Sequence, residues 1–329
     1  MELTVIRYSD DKKEIWDRFV LQESMNGTFL QSRRFLEYHP AERFEDHSLL
    51  IYKGNEVIAV VPACKVINEG KTMFFSHKGS TYGGIVLKDK FYNVSYLDAI
   101  METLESYLKD CGFEAAYMKM TPDVFCKKPT PLVDYFLYKN NWTNYDELNF
   151  FMRLEDYKDG VAEQFTSGKR RDYRYSLKAG MEFRQLETDE ELAEFHAVLS
   201  KNLGRLGVPV VHSLAELKDL KRNRLNENID FYGVYLEGKM IAGSMLFKFE
   251  NKVCHTQYLA SDEDYRVHFP MEFLIFNLIS KAVEEDMEVF TFGICTEDQG
   301  RYLNMGLSRF KEGFGAEYGI NRSYEKIFR

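Results

Sequence analysis

Asp230-Phe-Tyr-Gly-Val-Tyr235, then Glu237-Gly238, then Met240-Ile241-Ala242 reads as a strand, a tight turn and a second strand. The chain has already said the same thing 183 residues earlier, where Tyr52 leads through Lys53-Gly54-Asn55 into Val57-Ile58-Ala59. Short Gly/Asn turns between apolar runs favour hairpins. Working outward, residues 47–52, 56–65 and a run ending at His77 form one three-stranded meander. Residues 230–235, 240–249 and a run ending at Leu259 form another.

The surroundings repeat as well. Tyr96, Leu97, Ile100, Leu104, Tyr107 and Leu108 recur at helical spacing after the first meander, and residues 113–120 supply the next strand. After the second, Pro270 stands where a first-turn proline is tolerated, followed by Phe273, Leu274, Leu278 and Val283 and a strand at 289–294. Each block closes with a short helix and a last strand, at 135–140 then 148–154, and at 303–310 then 316–324. Helices precede each meander: Ile15, Trp16, Phe19 and Val20 make one stripe, while Thr188-x-x-Glu191 and Ser213-x-x-Glu216 are capping boxes. The expectation is an α/β (α+β) fold of two tandem domains, 1–155 and 156–329, each a mixed, mostly antiparallel sheet flanked by helices.

Composition sets the boundaries of function. Of 329 residues, 45% are hydrophobic and 29% charged, which fits a globular chain and opposes disorder. Forty-three Lys and Arg against 52 Asp and Glu give a net charge of −9, so no DNA partner is expected. Apolar stretches such as 57–64 fall short of the ~20 residues a bilayer demands, and no leader pattern opens the chain, so a cytoplasmic protein without a transmembrane segment is expected. The five cysteines form no C-x-x-C pair, and neither a P-loop nor a G-x-G-x-x-G, H-E-x-x-H or G-x-S-x-G motif is present. No metal and no resident cofactor are expected.

The order helix, three-stranded meander, helix, strand, helix, strand is that of the GNAT acyltransferase superfamily. Two such units resemble the Fem-type (FemAB-like) aminoacyltransferases and related tandem-GNAT acyltransferases. The residues that carry the resemblance are Phe29-Leu-Gln31-Ser32-Arg33-Arg34-Phe35, Lys169-Arg170-Arg171-Asp-Tyr-Arg-Tyr175, His255-Thr-Gln257-Tyr258 and Phe310-Lys311-Glu312-Gly313-Phe314-Gly315-Ala316. The resemblance implies amide formation on an amine of a phosphate-bearing acceptor, a cell-wall (peptidoglycan) precursor or a nucleotide-linked sugar, with aminoacyl-tRNA or acyl-CoA as donor. It also implies that Lys311 is the catalytic lysine, that Arg33 and Phe35 stand at the family's basic and aromatic positions, and that Tyr258 contacts the acceptor. One departure is plain. Acetyl-CoA enzymes of the superfamily carry [Q/R]-x-x-G-x-[G/A] before the helix that follows the meander, and Arg266-Val-His-Phe-Pro270-Met does not fit it.

Chemistry gives each position two readings. Three cations in a helix's first turn oppose the macrodipole, so Lys169, Arg170 and Arg171 make sense beside an anion; they also fit a solvated basic face. Arg171, Tyr175 and Lys178 fall on one helical face, enough for a phosphate and a stacking ring. Arg33, behind a cap at Ser32, suits a diphosphate or an ordinary surface. Lys311 stabilises an acyl-transfer oxyanion or points to water from a glycine turn. His255 is a general base or a satisfied core group, and Tyr82-Gly83-Gly84 is a ligand lip or a tight turn. Residues 218–224 look like a solvated basic helix face. Two rivals to the Fem-like reading remain: an acetyl-CoA-dependent N-acetyltransferase in surface polysaccharide synthesis, and a non-catalytic binding module built from degenerate GNAT units.

Overall fold

The computed structural model describes residues 1–40 and 42–328. It is a mixed α/β fold of mostly antiparallel sheets flanked by helices, and the chain divides into two compact units, Met1–Glu147 with Ile320–Arg329, and Leu148–Gly319. The division differs from the expected break near residue 155. The stretch 149–153, expected to close the first block, pairs antiparallel with Val289–Ile294 of the second unit. Residues 323–327, at the end of the chain, pair antiparallel with Ala115–Lys119 of the first. The two blocks therefore exchange their last strands. An alternating apolar pattern sets which face of a strand is buried but not which neighbour it joins.

In the first unit the strands Thr4–Arg7, Leu49–Lys53, Glu56–Val61 and Val86–Leu87 form one antiparallel sheet. The expected second strand of the meander is broken at Pro62, which has no N–H to give to a ladder. Its continuation, Cys64–Asn68, pairs instead with Lys71–Ser76. Helix Val94–Asp110 then crosses over, so that Ala115–Lys119 lies parallel to Lys71–Ser76. Leu97, Ile100, Met101, Leu104 and Leu108 form its buried stripe, packed with Phe74, Ala116 and Met118.

The second unit keeps its meander whole. Glu182–Gln185, Ile229–Leu236, Lys239–Phe249 and Val253–Ser261 are successive antiparallel neighbours, and helix Pro270–Glu284 carries the chain over to the parallel strand Val289–Ile294. Leu274, Ile275, Leu278 and Ile279 on that helix pack on Ile241, Leu246, Cys254 and Phe290 of the sheet. Both capping boxes form: Thr188 with Glu191, and Ser213 with Glu216. The helix Ser167–Ser176 begins with Thr166 at the cap, and the chain leaves it through a tight turn at Gly180, φ 70°. The 218–224 segment is not uniformly solvated. Lys221 is buried, and its ammonium donates to Asp230 and to the Ile229 carbonyl, each at 2.9 Å. Among the described residues, no helix is long and apolar enough to cross a membrane.

Candidate active site

The second unit holds a local break in an otherwise regular sheet. Val253–Ser261 and Val289–Ile294 pair in parallel at Val253↔Val289, Cys254↔Phe290 and His255↔Thr291, and there the pairing stops although both strands run on. Two bulges drive the parting. Gln257 is an extra residue against Met245 and Leu246, and Phe292 an extra residue against Phe151 and Phe150. Bulges bend a strand and raise its twist, which is why they recur beside reactive sites. Gly293, at φ 71°, completes the second bend; a Cβ there would lie 3.1 Å from His255 Cε1. Only glycine satisfies both the dihedral and the contact.

Lys311 lies against this bend. It belongs to the last turn of helix Met305–Glu312, is 3% exposed, and donates to the carbonyls of Phe292 (3.1 Å), Gly293 (3.0 Å) and Ile294 (2.7 Å). Three carbonyls match the three N–H groups of the ammonium, and the Cys295 side chain also lies within hydrogen-bonding reach of it. The lysine thus points inward rather than to water. Burial is the main influence on its charge and lowers its pKa. To bind a developing oxyanion, Lys311 would exchange one carbonyl for it; otherwise its charge acts through the low-dielectric interior.

His255 touches the same glycine and is bound to the Thr291 backbone. Burial first, and the Lys311 charge second, press its pKa down to about 3. A neutral imidazole that resists protonation so strongly cannot hold the proton an amine sheds. Burial and a depressed pKa weigh against the general-base reading of His255, which sits in the structure as a packing and hydrogen-bonding group of the bend.

Past the end of Val253–Ser261 the chain turns through Glu263–His268 and enters helix Pro270–Glu284 at Phe269, whose φ of 54° is left-handed. For a bulky side chain that conformation costs roughly 1–2 kcal/mol and marks a place where the surroundings dictate the backbone. The helix has no side-chain cap, and its start opens on a cavity of 950 Å³ lined by Asp172, Asn202, Arg205, Arg266, Phe269 and Phe310 among others.

Helix Ser167–Ser176 brings its predicted residues to this cavity in different ways. Tyr175 is half exposed and stacks on Phe269, with centroids 6.0 Å apart. Arg171 faces solvent and grips Asp172, a cavity-lining carboxylate, at 3.0 and 3.1 Å. Lys169 does not present a free charge. It is ion-paired with the buried Glu272 and lies over the rings of Phe310 (4.3 Å) and Phe314 (5.0 Å), tying three helices together beside the cavity. Tyr258, on the free-running part of its strand, bonds through its hydroxyl to Nδ1 of His212 at 2.5 Å. Sequence reasoning missed both Glu272 and His212. Glu272 had only its place in the first turn after Pro270 to announce it, and His212 only its position before the Ser213 capping box.

The first unit's candidates lie elsewhere in character. Ser32 caps the four-residue helix Arg33–Leu36 and turns Arg33 inward, to 1% exposure. Its guanidinium stacks 3.3 Å from the Tyr8 ring centroid and 4.1 Å from that of Trp16, and pairs with Asp46. Although burial works against it, Arg33 keeps the Asp46 carboxyl below its ordinary range. Phe35 is buried between Phe29 and Tyr38. Arg33 and Phe35 are therefore enclosed in the core of the first unit rather than presented on its surface, although Nε and Nη2 of Arg33 are buried without a hydrogen-bond partner.

The place in the first unit that corresponds to the parted strands is sealed. Lys71–Ser76 stays paired with Ala115–Lys119 up to Ser76↔Met118. Beyond that point Ser76 Oγ accepts from the amides of Lys119 (3.1 Å) and Gly84 (3.0 Å), and the Gly83 amide donates to the Lys119 carbonyl (2.9 Å). Gln31 closes the set by donating to the Gly83 carbonyl at 3.0 Å. Tyr82-Gly83-Gly84 is thus a packed plug: a Cβ on Gly83 would meet Ser76 at 2.8 Å and one on Gly84 would meet Met120 Sδ at 2.8 Å.

Comparison with known proteins agrees with this geometry. Residues 166–312 match the acetyltransferase (GNAT) domain family. No curated protein matches the chain in sequence. Among solved structures, FemX superposes with a TM-score of 0.71 at 16% identity, covering 100% of this chain and 98% of its own. The C-terminal domain of a putative lysylphosphatidylglycerol synthetase from Agrobacterium fabrum gives 0.62 at 14%, covering 97% and 92%. A tandem GNAT protein from the clavulanic acid biosynthesis pathway gives 0.59 at 9%, covering 99% and 98%. At such identities the likeness speaks for the fold: the chain is folded like FemX and like a tandem GNAT protein, and residues 166–312, inside its second unit, match the acetyltransferase (GNAT) domain family.

Proposed function

We propose that the protein forms an amide bond, passing an activated acyl group to a primary amine on a phosphate-bearing acceptor such as a cell-wall precursor or a nucleotide-linked sugar. The observation that carries this reading is the parting of the two parallel strands after His255 and Thr291. An extended donor can lie along an unpaired strand edge and bond to its backbone, so that its carbonyl arrives beside the bend with the Lys311 charge behind it. An ester or thioester is already activated, so orientation and oxyanion stabilisation supply most of what remains. The 950 Å³ cavity at the start of helix Pro270–Glu284 would take the donor's carrier, with Arg171, Arg205 and Arg266 at hand for phosphate.

The donor in this reading is aminoacyl-tRNA or acyl-CoA. The net charge of −9 weighs against a large polyanion, because any tRNA contact would rest on local clusters of Arg and Lys. No resident cofactor takes part, and the reaction takes place in the cytoplasm, where both donors are made. The test is direct. The purified chain is incubated with acetyl-CoA or a mixed aminoacyl-tRNA pool and with UDP-MurNAc-pentapeptide or UDP-amino sugars, and products are weighed by mass spectrometry. An acceptor heavier by one acyl group, lost in Lys311→Met, is expected. If no acceptor gains mass and no donor raises the melting temperature of the chain, the reading is wrong.

A further inference from the structure

Acyl transfer to an amine moves one proton from nitrogen to the leaving group, and the groups closest to the bend cannot carry it. Lys311 has three carbonyls matched to its three N–H groups, and His255 resists protonation. A different pair stands further along the same free strand edge. Tyr258 lies three residues past the last parallel pair, about 10 Å along the strand at ~3.3 Å per residue, just beyond the Gln257 bulge. Its hydroxyl meets Nδ1 of His212 at 2.5 Å, with the two rings edge to face at 84°.

His212 is fixed from several directions. It is 5% exposed, and its carbonyl accepts from Nε2 of His196 at 3.1 Å. His196 sits on helix Asp189–Arg205, and the residue after His212 is Ser213, tied down by its capping box with Glu216. Glu216 also lies close enough to Tyr258 for its negative charge to act on the phenol and hold its proton there until the amine supplies another. With the phenol donating, Nδ1 is the accepting nitrogen and can take the proton outright.

Resting on the acyl-transfer reading above, we propose that Tyr258 and His212 are the proton relay of the reaction. The amine enters as its free base and attacks the donor carbonyl. A C–N bond forms, and the carbonyl oxygen becomes an oxyanion. The nitrogen's proton passes to the Tyr258 oxygen while the phenol's own proton passes to His212 Nδ1. When the bond from carbon to the leaving oxygen or sulfur breaks, Tyr258 hands a proton to that atom and recovers one from His212. The enzyme ends as it began. Tyr258 is the catalytic residue, and His212 is the positioning residue that acts through it.

The variants are Tyr258→Phe, His212→Asn and His212→Ala, assayed with the same two donors and the same UDP-linked acceptors after their melting temperatures confirm folding. Asparagine at 212 can accept the phenol's hydrogen bond at the place of Nδ1 but cannot take its proton. Loss of kcat by about 100-fold or more in Tyr258→Phe, with KM held within about threefold, is expected for lost acid–base catalysis. His212→Asn should be as slow as His212→Ala. Tyr258→Phe turning over like the wild type would overturn the relay while leaving acyl transfer intact. Recovery of the wild-type kcat by His212→Asn would overturn it too, since orientation alone would then suffice. A wild-type chain that transfers nothing from either donor removes the acyl-transfer reading, and the relay falls with it.

Discussion

The bend at Gly293 should be measurable as a free energy before any substrate is known. Alanine at 293 must adopt φ 71°, which costs about 1–2 kcal/mol for an L-residue. Its Cβ must also fit 3.1 Å from His255 Cε1, closer than ordinary van der Waals contact, and His255 is buried and tied to Thr291. Gly238 supplies the control. It lies in the same unit, has φ 79°, and a Cβ there would meet nothing within 4 Å. Gly238→Ala should therefore pay the dihedral cost alone, while Gly293→Ala should lose about 1–3 kcal/mol more, in line with overpacking in a core. Urea midpoints of both variants give the difference. The double variant Gly293→Ala/His255→Ala then recovers the steric part, a coupling that a double-mutant cycle isolates. If Gly293→Ala is no less stable than Gly238→Ala, the close contact and the argument for the parted strands fail together.

Three further outcomes follow from the same geometry. Lys311→Met keeps most of the volume but strands three carbonyls; a loss of about 2–4 kcal/mol in urea unfolding is expected, and an unchanged midpoint would mean that the clamp contributes nothing. Arg33→Met should destabilise the first unit by about 1–3 kcal/mol by removing the stacked guanidinium and its pair with the partly exposed Asp46, with no change in acceptor KM; a KM effect in a stable variant would restore its binding role. The folded-state pKa of His255 is depressed, to about 3, so its contribution to stability is whole above the unfolded value near 6.5 and is lost as pH falls toward the folded value. Between those limits the slope is about 1.4 kcal/mol per pH unit, and His255→Gln should flatten that part of the acid limb in pH-dependent urea titrations.

Much of the fold is legible because the chain repeats its punctuation. Tyr52 and Tyr235 stand at the same point before a glycine turn, both capping boxes form, and Pro270 opens the helix its position suggests. The exchanged final strands are not legible. Residues 149–153 and 323–327 alternate in the same way whichever unit they join, and only tertiary pairing decides. At the site, Lys311 is visible in its Phe-Lys-Glu-Gly-Phe-Gly setting, but its direction depends on the helix running on to Glu312 rather than ending at Phe310. At about 100° per residue, two more residues of helix decide between solvent and core. Charge is equally deceptive at Arg33 and Lys169. A sequence shows a cation, whereas depth and partner depend on Asp46 and Glu272, which lie 13 and 103 positions away.

The two units answer one structural question in opposite ways, and that contrast is the strongest physical reason to place chemistry in the second. A pair of parallel strands that separates exposes backbone donors and acceptors, and those groups need partners. The first unit supplies them from its own chain: Ser76, Gly83, Gly84 and Gln31 bond across the gap, and no Cβ could be added at either glycine without displacing Ser76 or Met120. Among the described residues, the second unit leaves the strand edge beyond His255 without a ladder neighbour, with Lys311 against its bend, Tyr258 further along the strand and Ser261 at its end lining the cavity. An unfilled strand edge beside a buried ammonium costs stability, and a fold that already contains the seal in one copy has no structural need to omit it from the other. Filling the second gap in the manner of the first should therefore stabilise the protein and abolish transfer, whereas opening the first by Ser76→Ala should destabilise it by about 1–3 kcal/mol and create no second activity.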